Sequence, residues 1–127
     1  MCNNKPKRIV KHGCYSASNS DLGICDRSGN LMKGEHDVFV ISKIDLKGYV
    51  KVKTITSLEN DNTGTIQKSG LMNIKKGIII PIPDKELNSN KLSGIHCKSI
   101  LIHKSKLFKP NHNFKYPSKY KSIIDEE

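Results

Sequence analysis

The chain has 127 residues and carries 22 Lys or Arg against 12 Asp or Glu, a formal charge of +10. That length builds one domain with a single modest core and excludes a two-domain enzyme. No apolar run approaches the ~20 residues of a membrane span, and the N-terminus lacks the apolar centre of a signal peptide, so a cytoplasmic protein with no membrane partner is expected.

Cys2, Cys14, Cys25 and Cys97 are then expected as reduced thiols. Only Arg8 and Arg27 are arginine; lysine supplies the rest of the positive charge. The surplus suits a polyanionic partner, of which a nucleic acid is the commonest. A solvated lysine surface is the plainer alternative.

Residues 1–11 read as a flexible basic arm, 12–108 as one β domain and 109–127 as a basic, aromatic tail. His12–Ala17 forms a short first strand. Ser18–Gly34 is rich in Ser, Asn, Asp and Gly and reads as a long loop, with turn chemistry at Ser28-Gly-Asn30.

Asp37-Val-Phe-Val-Ile-Ser42 is a nearly unbroken apolar run, as expected of a strand covered on both faces. Tyr49-Val-Lys-Val-Lys-Thr-Ile-Thr-Ser57 alternates instead: Val50, Val52 and Thr54 face one way, Lys51, Lys53 and Ile55 the other. Asp45, Lys47 and Gly48 supply the turn between them, which predicts an antiparallel pair.

Glu59–Gly64 is a polar tip, and Ser69–Lys76 shows no clear period. Gly77–Pro83 reads as a strand near a sheet edge, because proline cannot donate to a ladder. Asp84–Ser93 has room for one helical turn, Cys97–His103 is the last strand, and Lys104–Phe108 is a short helix stopped by Pro110. The pattern predicts a small, mainly β barrel with one or two short helices.

Gly13-Cys-Tyr15, the strand ending Val40-Ile-Ser42, the strand ending Thr56-Ser57, and Lys104-Ser-Lys-Leu107 occur in an order that resembles the MazF/PemK family of toxins. The family's loop arginine before the Val-Ile-Ser strand is replaced here by His36. The resemblance implies an SH3-like barrel, a homodimer, and cleavage of single-stranded RNA with no metal or cofactor.

Metal-free cleavage needs a base for the 2′-hydroxyl proton, an acid for the leaving oxygen and a cation for the phosphate charge. Histidine suits both proton roles near neutral pH. On the resemblance, His36 takes the catalytic place, with Thr56 and Ser57 hydrogen-bonded to the scissile phosphate. Lys51, Lys53 and Lys98 would contact RNA from the domain.

Lys115, Tyr116 and Tyr120, with Phe114, give the tail the composition of a single-strand stacking surface. Packing of those rings on the barrel is the alternative. His12, Cys14, Cys25, His96 and Cys97 fit no standard zinc spacing, and no phosphate-binding glycine loop occurs. Cys97 lacks an adjacent base, since His96 would face the other side of a strand.

Besides a structural phage or plasmid protein of the same fold with no nucleic-acid partner, two functions remain open. One is a MazF-like endoribonuclease, paired with a small acidic antitoxin. The other is the same barrel without catalysis, such as a phage or mobile-element module that blocks a nucleic-acid-dependent host nuclease.

Overall fold

The apolar run at Val38–Ile41 lies in the middle of a sheet. The computed structural model describes residues 8–26, 28–58, 68–87, 92–110 and 114–125. Expectations for residues 1–7, for the polar tip at 59–67 and for the start of the tail at 111–113 fall outside these. No described helix is long and apolar enough to cross a membrane.

β1 (Cys14–Ser18) pairs antiparallel with β2 (Glu35–Val40), and β2 with β3 (Tyr49–Ser57), Val38 standing opposite Thr54. Val38, Phe39 and Val40 are all fully buried, because both faces of β2 are covered. On the first face Val38 and Val40 join Tyr15, Ala17, Val50, Val52, Ile102 and Leu107. On the second face Phe39 and Ile41 join Ile55, Ile82, Leu87, Ile95 and Ile124.

β3 is long enough to pair with two strands on its other side. Its end meets β5 (Ser93–His96), with Ile55 opposite Ile95; its start meets β6 (Ile100–His103), with Val52 opposite Ile100. Three steps along β3 therefore match five steps from Ile95 to Ile100. The two extra residues are taken up in a bulge that spans Cys97–Ser99. This corrects the single strand expected over Cys97–His103: the pairing starts earlier, at Ser93, and is interrupted where continuity was expected.

β4 (Ile79–Ile82) pairs with β5 and ends the order β1-β2-β3-β5-β4, the edge position its prolines require. The fold is a mainly β sheet of six antiparallel strands with a few short helices. Its ladders leave the sheet open where a closed barrel was expected. At one edge Pro81 of β4 has no N–H to offer; at the other, β1 meets the chain beyond β6 through the single bridge Ser16–Phe108.

Between β1 and β2, the expected loop holds one helical turn, α1 (Asn19–Leu22), and a bridge between Cys25 and Leu31. α2 (Lys68–Lys75) occupies the stretch without a period. Gly70 makes its close contact with Leu58 while Leu71 and Met72 stay exposed, so no apolar stripe marks this helix. α3 (Asp84–Leu87) is the expected single turn. Lys104–Lys106 is a 3₁₀ turn rather than a longer helix.

The C-terminal segment is docked. Phe114, Tyr116 and Tyr120 pack on the second-face core and Ile124 of α4 (Lys121–Ile124) is part of it. His12 Nε2 lies 3.0 Å from Asp125 Oδ2, and the Tyr116 hydroxyl donates to the other oxygen of the same carboxylate.

Candidate active site

Strand alternation puts His36, Val38 and Val40 on the first face of β2 and Thr54 and Thr56 on the same face of β3. Thr56 opposes Gly94, so His96, two residues on, also shares that face. The two histidines thus flank β3 from opposite sides. Both line a pocket of about 490 Å³ whose other walls are Thr54, Ile24, Ile100, Gly77 and Ile78, with Lys76, Cys97, Lys98 and Ser99.

The bulge builds one wall of this pocket. The Cys97 N–H donates to the Ile78 carbonyl at 2.7 Å, which ties the bulge to the start of β4. Gly77, at φ 73°, ends α2 in the left-handed region and turns the chain back toward the sheet. Lys76, just before it, and Lys98, in the bulge, are both exposed lining residues, so two lysines border the pocket. Bulges re-aim side chains beside functional sites, and here His96 and Cys97 come to line one space although an unbroken strand would separate them.

α1 supplies the side chain that holds His36, and Ile24, just beyond it, lines the pocket. The Ser18 hydroxyl caps the helix by accepting from the Asp21 N–H, and Gly23 ends it at φ 73°. Asn19 is thereby buried beside β2. Its Nδ2 donates to the Lys33 carbonyl at 2.9 Å, which leaves Oδ1 facing His36 Nδ1 at 2.5 Å. A carbonyl oxygen only accepts, so Nδ1 carries the imidazole proton and Nε2 holds the lone pair.

Burial lowers the His36 pKa below the ordinary histidine value. The His96 pKa is lowered too, by burial first and then by the nearness of His36. Both rings are accordingly neutral at pH 7. An anion entering between them would favour proton uptake, since opposite charge stabilises the imidazolium form.

Of the residues expected from sequence, His36 and Lys98 line the pocket. Thr56 shares the face, yet Thr54 is the lining hydroxyl. Ser57 points to the other face, because consecutive strand residues alternate; the expected hydroxyl pair is split across the sheet.

Lys53 is fully buried on the second face and cannot reach a phosphate in solvent. Alternation assigns Lys53 to this face, but nothing in the strand's own sequence shows that the face is covered. Lys51 is exposed on the second face, nearer the other end of β3. Lys115 is exposed, while Tyr116 stacks near His12 and meets Phe39 edge-on. The alternative reading of the tail, rings packed on the domain, describes what is found.

Asn19, Thr54, Lys76 and His96 were missed. The alternation in β3 already put Thr54 with Val50 and Val52; its neighbours across the sheet required the register. No group of three or more His, Cys, Asp or Glu able to hold a metal occurs among the described residues. No protein-family model matches the chain, and no curated protein matches it.

Proposed function

We propose that the protein is a metal-independent endoribonuclease that cuts single-stranded RNA. The supporting observation is the convergence of two neutral histidines, from strands on either side of β3, on one pocket with two lysines. His36 Nε2 takes the 2′-hydroxyl proton and the 2′-oxygen attacks phosphorus. The bond from phosphorus to the 5′-oxygen breaks, and His96, protonated once the phosphate is bound, gives its proton to that oxygen. Lys76, Lys98 and the Thr54 hydroxyl stabilise the charge on the non-bridging oxygens. The products are a 2′,3′-cyclic phosphate and a 5′-hydroxyl.

The scaffold we infer is an opened relative of the SH3-like barrel of the MazF/PemK toxins. The Ser16–Phe108 bridge supports it, since the two residues exchange backbone hydrogen bonds of 2.8 Å and return the chain beyond β6 to the β1 edge. On this reading His36 replaces the family's arginine as a proton-transfer group, and His96 adds the second one. A homodimer acting in the cytoplasm and a small acidic antitoxin are the partners it implies.

The test is incubation of purified protein with mixed-sequence unstructured RNA in a chelator. Cyclic-phosphate ends are expected, and His36→Ala or His96→Ala should each lower the rate by about 10²–10⁴. RNA left intact overturns the nuclease; RNA bound but uncut favours the non-catalytic module that blocks a host nuclease.

A further inference from the structure

The C-terminal segment covers the second sheet face over β2, β3 and β5 and leaves the β3–β6 end open. There Tyr49 pairs with His103 and Lys51 with Leu101. Tyr49 is 38% exposed and Leu101 59%, unusual for a sheet face with cores on both sides elsewhere. We propose that this end is a platform for single-stranded nucleic acid, separate from the histidine pocket and on the other face of the sheet.

The two rings are held in place. Their centroids are 5.1 Å apart at 84°, an edge-to-face pair. Gly48, at φ 89°, lets the His103 ring sit on its backbone: a Cβ there would lie 2.7 Å from Nε2. The Ser105 N–H donates to His103 Nδ1 at 3.2 Å, which fixes the ring from the other side. Asp45 Oδ1 accepts from the N–H groups of Lys47 and Tyr49, so the turn that presents Tyr49 is pinned as well. Pre-set rings lose little freedom when a base stacks on them.

Charge chooses the occupant. The segments 41–51 and 100–106 that build this end contain Lys43, Lys47, Lys51, Lys104 and Lys106, with Asp45 as their one acid. Asp45 is already engaged by two backbone donors. A second copy of the same face would set these lysines against one another, which disfavours self-association. A strand of phosphates with unpaired bases matches both features: bases stack on the tyrosine and lysines follow the backbone. A duplex offers no free base faces to the rings.

The experiment uses labelled oligothymidylate of about 12 nucleotides, a length a single small domain can hold, and anisotropy as readout. This strand lacks the 2′-hydroxyl, so the pocket's chemistry cannot cut it and binding is measured alone. Tyr49→Ala should weaken binding about tenfold and Tyr49→Phe should restore it. Lys104→Gln with Lys106→Gln should flatten the salt dependence, by about 0.7 in slope for each phosphate no longer neutralised. The proposal is overturned if Tyr49→Ala, with an unchanged melting temperature, binds equally well, or if a duplex of the same length binds as tightly. It is also overturned if the free protein forms a dimer that Tyr49→Ala dissolves, which would make this face a protein interface.

Discussion

Asn19 Oδ1 and His36 Nδ1 form a hydrogen bond whose direction is set by the other end of the amide, since Nδ2 is committed to the Lys33 carbonyl. The tautomer of the proposed base is therefore written by a residue outside the sheet. Asn19 is 2% exposed, so its loss orphans buried groups as well.

Changing the amide should move the chemistry of the ring. Asn19→Asp places a carboxylate against Nδ1 and favours the imidazolium. A proposed base must be unprotonated to act, so the acid limb of kcat/KM, expected below the ordinary histidine value in the parent, should move to higher pH. Asn19→Ala should cost about 1–3 kcal/mol of stability, the scale for leaving a buried partner unsatisfied, and should lower kcat more than it changes KM. A pH–rate profile of the three proteins checks the kinetic effects, and urea unfolding of Asn19→Ala checks the stability cost. An unmoved acid limb in Asn19→Asp removes His36 from the role of base.

How much of this was legible beforehand follows from what each signal measures. The turn at Asp45–Gly48 and the alternation from Tyr49 to Ile55 gave the central pair, and the run at Val38–Ile41 gave a doubly covered strand. Alternation assigns a face but says nothing of what lies over it. Lys53 was therefore read as a surface cation, although the covering residues, such as Tyr116 and Ile124, come from the far end of the chain. The bulge left no mark, since Cys97-Lys98-Ser99 contains neither glycine nor proline, and His96 falls just outside the strand expected over Cys97–His103. α2 was hidden because its close contact is made by a glycine.

The two histidines also carry a stability signature. Each has a folded-state pKa below its unfolded value, so the unfolded chain binds protons first as pH falls. Stability should be full above about pH 6.5 and should be lost on acidification until the lower folded values are reached. Urea midpoints measured from about pH 8 to about pH 5 should fall in the parent and stay flatter in a His36→Gln, His96→Gln double variant. Added inorganic phosphate should raise the parent's midpoint near pH 6, because an anion in the pocket favours the protonated rings. Parallel curves for parent and double variant would mean that neither ring titrates abnormally.

A different pH response belongs to the C-terminal clasp. Burial alone pushes the Asp125 carboxyl up, but hydrogen bonds from Tyr116 and His12, with the charges of His12 and Lys11, outweigh it and hold it below the usual carboxylate range. The clasp is thus in place above the unfolded carboxylate value and is lost as pH falls through the lower folded one. Asp125→Asn and Tyr116→Phe should each weaken docking by about 1 kcal/mol. Limited proteolysis should then cut within 109–125 first, leaving the sheet intact. Equal cleavage rates in parent and variants would show that the apolar contacts of Tyr120 and Ile124 suffice.

Gly94 sits between Thr56 of β3 and Pro81 of β4, on the sheet face that His96 shares. A Cβ built there lies 2.1 Å from Ile79 Cγ2 and 3.3 Å from Leu58 Cδ1, so even alanine must push β4 away from β5. Ile79 is 4% exposed and has no room to retreat. Gly94→Ala should destabilise the protein by about 1–3 kcal/mol or more, as overpacked cores do. Because Ile78 walls the pocket and its carbonyl holds the bulge through Cys97, the same displacement should also lower RNA cleavage. Adding Ile79→Ala removes the clashing methyl, and the double variant should be more stable than the sum of the two single costs allows. Urea unfolding of the four proteins in the cycle measures this coupling. Strict additivity would mean that the strain is relieved elsewhere, by Leu58, and that β4 stays in place.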